Sequence, residues 1–178
     1  RTVFGHPWAG VLLSNAAMII PAVGYRYDTV YIHAGPMFHL ADAASTFAIT
    51  NVAGTHVFIP RFDATDMLGE IERNRVTNAL LVPTMVNATA NHPEIGRYDI
   101  TSLRVIPYGA SPMPDAVLRR AKETMPGVRF LHVYGMTEAA PLVTASNGMA
   151  ATVIIDAFVI VIIGGMGSFL GSLIGALL

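Results

Sequence analysis

The residues best suited to chemistry are Tyr134-Gly135-Met136-Thr137-Glu138, which follow an apolar run from Val128 to Val133 that has the length and composition of a buried strand. Glycine lets the backbone approach a ligand closely. A threonine hydroxyl donates to phosphate oxygens, and a glutamate binds a hard cation such as magnesium. This combination at a strand's end is what a nucleotide site requires. Two further loops carry similar residue types. Pro107-Tyr108-Gly109-Ala110-Ser111-Pro112 follows one strand-like run, and Gly35-Pro36-Met37-Phe38-His39 follows another.

These loops need a scaffold, and the segments around them alternate between strand-like and helix-like patterns. Thr29 to Ala34, Val57 to Ile59, Ala79 to Val82 and Leu103 to Ile106 read as strands, joined by the run that ends at Val133. Leu40 to Ala53 is small and apolar, as a buried helix would be. Asp63-Ala64-Thr65-Asp66 has the form of a helix N-cap, with Met67, Leu68 and Ile71 on one face and Glu70 and Arg73 outward. A helix from Pro114 to Met125 would turn Val117, Leu118 and Ala121 inward and Arg119, Arg120, Lys122 and Glu123 outward, with Gly127 ending it. Strands separated by helices indicate βαβ units and a mainly parallel sheet, an α/β fold. Ligands of such sheets bind beyond the carboxyl ends of the strands, where all three loops would emerge together.

Composition limits the alternatives. The chain of 178 residues has 11 Lys+Arg against 12 Asp+Glu, so no electrostatic argument favours nucleic acid as a partner. Without cysteine there is no disulfide, thiolate metal site or cysteine nucleophile. The six histidines (His6, His33, His39, His56, His92, His132) show no close ligand spacing. Charge is unevenly distributed: no Lys or Arg follows Arg129, and after Glu138 the sole charged residue is Asp156. The chain therefore divides into a mixed α/β part, residues 1–148, and an apolar part, residues 149–178.

Three motifs in the first part resemble those of the adenylate-forming superfamily, which includes acyl-CoA synthetases, adenylation domains and luciferases. Pro36-Met37-Phe38-His39 is similar to its P-x-F-H loop, Gly109-Ala110-Ser111-Pro112-Met113-Pro114 to its adenine loop, and Tyr134 to Glu138 to its Y-G-x-T-E signature. The resemblance runs from about Gly10 to Thr144. It implies part of that family's N-terminal domain and an activity in which ATP and a carboxylic or fatty acid give an acyl adenylate, then a coenzyme A thioester. It assigns Thr137 to phosphate and Glu138 to magnesium. It places Gly109, Ala110, Ser111, Tyr134, Gly135 and Met136 around ATP or AMP, and His39 between the nucleotide and acyl pockets. Pro83-Thr84-Met85 resembles a loop beside the acyl pocket. Such an enzyme would be cytoplasmic.

Both ends depart from that pattern. The family's Ser/Thr/Gly-rich phosphate loop, which ends in Pro-Lys-Gly, is replaced by Phe4-Gly5-His6-Pro7-Trp8-Ala9-Gly10-Val11, with neither the hydroxyl cluster nor the lysine. Nothing after Thr144 resembles the family's ribose-binding aspartate, hinge or C-terminal domain. The chain is thus expected to be a fragment, inactive alone. The uncharged residues 157–178 would span ~33 Å as a helix, against roughly 30 Å of bilayer hydrocarbon. Gly167, Gly171 and Gly175 form a small-xxx-small pattern that suits a transmembrane helix. Ala157 to Gly175 resembles a segment of branched-chain amino acid ABC transporter permeases, which implies a chimera or a permease remnant and possible membrane association.

Overall fold

The computed structural model describes residues 7–135 and 144–146. Strands β1 (Val30–His33), β2 (Thr55–Phe58), β3 (Asn78–Ala79), β4 (Val105–Tyr108), β5 (Arg129–Tyr134) and β6 (Thr144–Ser146) form one sheet in the order β2-β1-β3-β4-β5-β6. The first five are mutually parallel, as the βαβ pattern predicts, and β6 is antiparallel to β5. Helices α1 (Pro7–Val23), α2 (Leu40–Asn51), α3 (Ala64–Asn74), α4 (Pro83–Ala90) and α5 (Asp115–Thr124) cover the sheet.

Strand alternation sends side chains into two cores. Ile32, Ala79, Ile106 and Phe130 pack with Met67 and Ile71 of α3, Val86 and Ala90 of α4, and Ala121 of α5. Tyr31, Val105 and Leu131 pack on the other face with Ala16, Ile19 and Val23 of α1 and Ala44, Ala48 and Ile49 of α2.

Local signals account for the helix limits. Asp63 caps α3 as expected, its Oδ1 accepting from the N–H groups of Thr65 at 2.8 Å and Asp66 at 3.2 Å. Met67, Leu68 and Ile71 are fully buried, and Arg73 pairs with Glu70 on the surface. In α5, Ala121 is buried and Val117 and Leu118 are half-buried, while Arg119, Arg120, Lys122 and Glu123 are exposed.

Several boundaries differ from the sequence expectation. β3 ends at Ala79 instead of Val82, β4 begins at Val105 instead of Leu103, and β2 begins at Thr55 instead of Val57. One proline explains the early end of β3. Val105 N–H donates to Thr77 O at 3.2 Å, and Leu81 N–H donates to Pro107 O at 3.0 Å. The rung between them would need an N–H at Pro107, which a proline lacks. The ladder lapses there, so β3 is short while Pro107 and Tyr108, expected in a loop, continue β4. The replaced phosphate loop is not a loop from Pro7 onward, because α1 runs through Pro7 to Val11. α1 was not expected, since its sequence lacks a polar face. β6 was not foreseen either, being three residues long. Residues 149–178, including the expected transmembrane segment, lie outside the described residues. Among the described residues no helix is long and apolar enough to cross a membrane.

Candidate functional site

The carboxyl ends of β1, β4 and β5 lie on one edge of the sheet because the strands are parallel. A cavity of about 490 Å³ opens there, within the size range of small-molecule sites. Its wall comprises Gly35, Pro36, His39, Leu40, Ala41 and Asp42 after β1, Gly109 and Ala110 after β4, and Val133 and Gly135 at the end of β5. Leu80, Val82 and Met85 close it between them. The three loops singled out in the sequence therefore meet at one site.

Gly109 has no room for a side chain, since a Cβ there would lie 2.3 Å from the carbonyl oxygen of Val133. The absence of that atom lets the end of β4 press against the end of β5. Ala110 follows with φ 68, a left-handed conformation that costs an L residue roughly 1–2 kcal/mol. That strained turn carries the backbone out into the cavity wall.

His39 is the N-cap of α2, and its Nδ1 accepts the Ala41 N–H at 3.3 Å. A neutral imidazole that accepts at Nδ1 carries its proton at Nε2. The ring thus retains one N–H donor suited to a carboxylate or phosphate oxygen. Its neighbours in the wall are mostly apolar, and among the described residues the lining contains no lysine or arginine. The described wall fits a flat ring or an apolar chain rather than a triphosphate.

Of the predicted site residues, His39, Gly109, Ala110 and Gly135 line this cavity. Ser111 is exposed and does not line it. Tyr134 is half-buried and is also absent from the wall, because Val133 takes the cavity-facing position and alternation turns the next residue away. Met136, Thr137 and Glu138 lie outside the described residues. Met85, from the Pro83-Thr84-Met85 segment, does line the cavity, although Pro83 begins α4 and is not part of a loop.

Sequence reasoning missed Asp42, which is 3% exposed in the first turn of α2. Its Oδ1 accepts from Tyr31 Oη at 3.0 Å, and its Oδ2 lies 2.8 Å from His33 Nδ1. His33 Nε2 is 2.9 Å from His56 Nδ1, and His56 Nε2 is 3.1 Å from Thr50 Oγ1. Burial, then the neighbouring His33, holds His56 below the usual histidine range. Burial raises the Tyr31 phenol far above its ordinary value and keeps it a donor. The signal was present in the sequence: Asp42 is the one charged residue in the otherwise uncharged stretch Leu40 to Ala53.

Comparison with known proteins shows the family of the chain. A family model described as AMP-binding enzyme matches residues 8–156, a longer span than the motifs alone indicate and one that enters the segment expected to begin at 149. The chain is 34% identical over 152 residues to the chloroplastic/peroxisomal 2-succinylbenzoate–CoA ligase of Arabidopsis thaliana, spanning 79% of this chain and 26% of that protein. It is 37% identical over 116 residues to 4-coumarate–CoA ligase 2 of Oryza sativa subsp. japonica, spanning 65% and 20%. The N-terminal domain of FACL13 from Mycobacterium tuberculosis superposes with a TM-score of 0.71 at 25% identity, covering 76% of this chain and 34% of that one. The O-succinylbenzoate coenzyme A synthetase of Bacillus subtilis, solved in complex with ATP and magnesium ion, gives 0.67 at 26% identity, covering 78% and 28%. The chain thus spans about a quarter of the length of the curated relatives it matches. With its parallel sheet, its three converging loops and a family match over most of its length, the chain belongs to the AMP-binding enzyme family.

Proposed function

We propose that this chain is the adenine- and acyl-facing part of an ATP-dependent acid–CoA ligase. In that reaction a carboxylate oxygen bonds to the α-phosphorus of ATP, and the bond to pyrophosphate breaks. The thiol of coenzyme A then takes the acyl group, the acyl–phosphate C–O bond breaking as AMP leaves and the thiol losing its proton. The observation that carries this proposal is the cavity at the strand ends, whose wall includes His39, Gly109, Ala110 and Gly135, the last of which immediately precedes Met136, Thr137 and Glu138 in the sequence.

The backbone at Gly109, Ala110 and Gly135 would receive adenine, with Ser111 and Tyr134 at its margin. Leu40, Leu80, Val82 and Met85 offer an apolar surface to the acyl tail, so the substrate class is a carboxylic acid with an aromatic or aliphatic body. His39 would donate its Nε2–H to an oxygen between the two. Thr137 would donate to a phosphate oxygen, and Glu138 would hold magnesium. When bound, that ion supplies positive charge against the developing phosphate charge.

The 178 residues alone are proposed to bind adenylate without forming it, since Phe4 to Val11 supplies no lysine and no hydroxyl cluster. Calorimetry with AMP should detect binding that Gly109→Val abolishes, with no carboxylate-dependent ATP–pyrophosphate exchange. Exchange above background that Glu138→Ala removes would overturn the claim of inactivity. Absence of AMP binding would overturn the nucleotide site.

A second proposal concerns Ala157 to Gly175, whose glycine pattern favours a permease-like membrane segment joined to the ligase part. Membrane fractionation decides it: recovery of the chain entirely in the supernatant would end the idea.

A further inference from the structure

The loop Gly35 to His39 forms one wall of the cavity and spans from the end of β1 to the start of α2. Exposed loops of this kind carry little stabilisation of their own, and Phe38 and His39 are exposed. Their position therefore depends on how the two ends are held. Both ends meet at Asp42. One carboxylate oxygen takes Tyr31 and the other takes His33, two residues on the same face of β1. Asp42 itself sits one helical turn past His39, the cap of α2. A Cβ on Gly35 would stand 4.0 Å from Asp42 Cβ, so the aspartate also backs the first residue of the loop.

We infer that Asp42 is a positioning residue that fixes the Gly35–His39 wall of the cavity by joining the start of α2 to Tyr31 and His33 of β1. The inference rests on the ligase proposal only for what the wall positions. The joint itself is independent of any ligand.

The hydrogen-bond directions follow from the geometry. Tyr31 Oη donates to Oδ1, and His33 Nδ1–H donates to Oδ2. His33 thus keeps a proton at Nδ1, and its Nε2 shares one proton with His56 Nδ1 across 2.9 Å. An asparagine at position 42 reverses this. Its amide N–H can donate to His33 Nδ1, which moves the ring proton to Nε2, from where it donates to His56 Nδ1. His56 then donates from Nε2 to Thr50 Oγ1. The network survives with the opposite tautomer but without the charged acceptor.

The test uses the whole 178-residue chain and the variants Asp42→Asn, Asp42→Ala and Tyr31→Phe. Imidazole ¹⁵N spectra should show the His33 proton at Nδ1 in the wild type and at Nε2 in Asp42→Asn. Amide exchange at Gly35 and from Met37 to Leu40 should rise by about tenfold or more in Asp42→Ala, the loss of roughly one charge-assisted hydrogen bond, while Gly109 and Ala110 stay close to wild type. Ile71→Val, placed in the opposite core, should raise exchange at the two walls equally. Affinity for 4-coumaroyl-sulfamoyl adenosine should fall by about tenfold in the same variants, for the same reason. If Asp42→Ala does not fold, Asp42→Asn and Tyr31→Phe give the same comparison at smaller amplitude. Equal exchange at both walls, or a Gly35–His39 loop as protected as in the wild type, would overturn the inference. A wild-type chain that ignores the adenylate mimic yet shows the local exchange effect would instead sink the ligase proposal and leave Asp42 as the joint.

Discussion

The two faces of the sheet achieve burial by different means. Beneath α3, α4 and α5, the strands present Ile32, Ala79, Ile106 and Phe130 to Met67, Ile71, Val86 and Ala121, and contact is mostly between apolar surfaces. Beneath α1 and α2, β1 turns Tyr31 and His33 toward the buried Asp42, and β2 adds His56. The first kind of packing is non-directional and tolerates exchange among similar volumes. The second is directional, because the hydrogen bonds of Tyr31, His33, Asp42 and His56 run between particular atoms and are lost on substitution. The cavity wall most dependent on position, Gly35 to His39, is attached to the directional face. Specific placement follows where hydrogen bonds set the geometry, and bulk stability follows where apolar area does.

The largest expected effect is on the polar face. Asp42→Ala leaves the donors Tyr31 Oη and His33 Nδ1 unpaired in the interior, and should destabilise by about 2–6 kcal/mol in urea melts. A loss under 1 kcal/mol would mean that the polar face is held by its apolar rim instead. Next comes Ile71→Ala in the apolar core, expected to cost about 2–4 kcal/mol as a cavity forms, without altering the His33 tautomer. A change in the His33 spectrum there would show that the two faces are coupled. Ala110→Gly should relieve the left-handed strain at φ 68 and stabilise by up to about 1 kcal/mol. Destabilisation would indicate that flexibility in the Gly109–Pro114 loop outweighs strain.

The smallest expected effect is acid sensitivity, and it compares one histidine from each face. Burial lowers the pKa of His132 below 6.5, and burial followed by His33 lowers that of His56. Below about 6.5 the unfolded chain takes up protons that the folded histidines refuse. Their contribution is therefore complete above that pH and is lost as pH falls toward the depressed values. Stability measured at pH 7.5 and at pH 5.5 should differ by less in His132→Leu and in His56→Gln than in the wild type. Unchanged slopes in both would contradict the buried placement of these rings. His132 should have the larger share, since its ring is 2% exposed and its Nδ1 has no hydrogen-bond partner among the described residues.

Much of the scaffold was legible because its signals are local. Asp63 announced the start of α3 through its side chain and the acid that follows. The charged face of α5 was visible in Arg119, Arg120, Lys122 and Glu123 against Ala121. Gly109 was legible as part of a family motif, but the close approach of its backbone to Val133 was not. Other features depended on pairing between distant segments. Pro107 looked like a loop residue, yet it lies in β4 because the neighbouring strand lapses where its missing N–H would fall. α1 escaped notice because residues apolar on all sides give no periodicity. Tyr134, placed around the nucleotide by the motif resemblance, does not line the cavity, because Val133 holds the inward position.

By itself, then, the sequence determined the α/β class, the parallel order of strand and helix, the family motifs and the three loops that carry them. All of these follow from residue type and spacing along one stretch of chain. The tertiary structure decided the strand order, with β3 between β1 and β4 and β2 at the edge. It also decided which of the motif residues share a cavity, and that Asp42, seven residues beyond Gly35, joins the wall to β1. Those are contacts between segments remote in sequence, and their free energy depends on register and burial that no local pattern encodes.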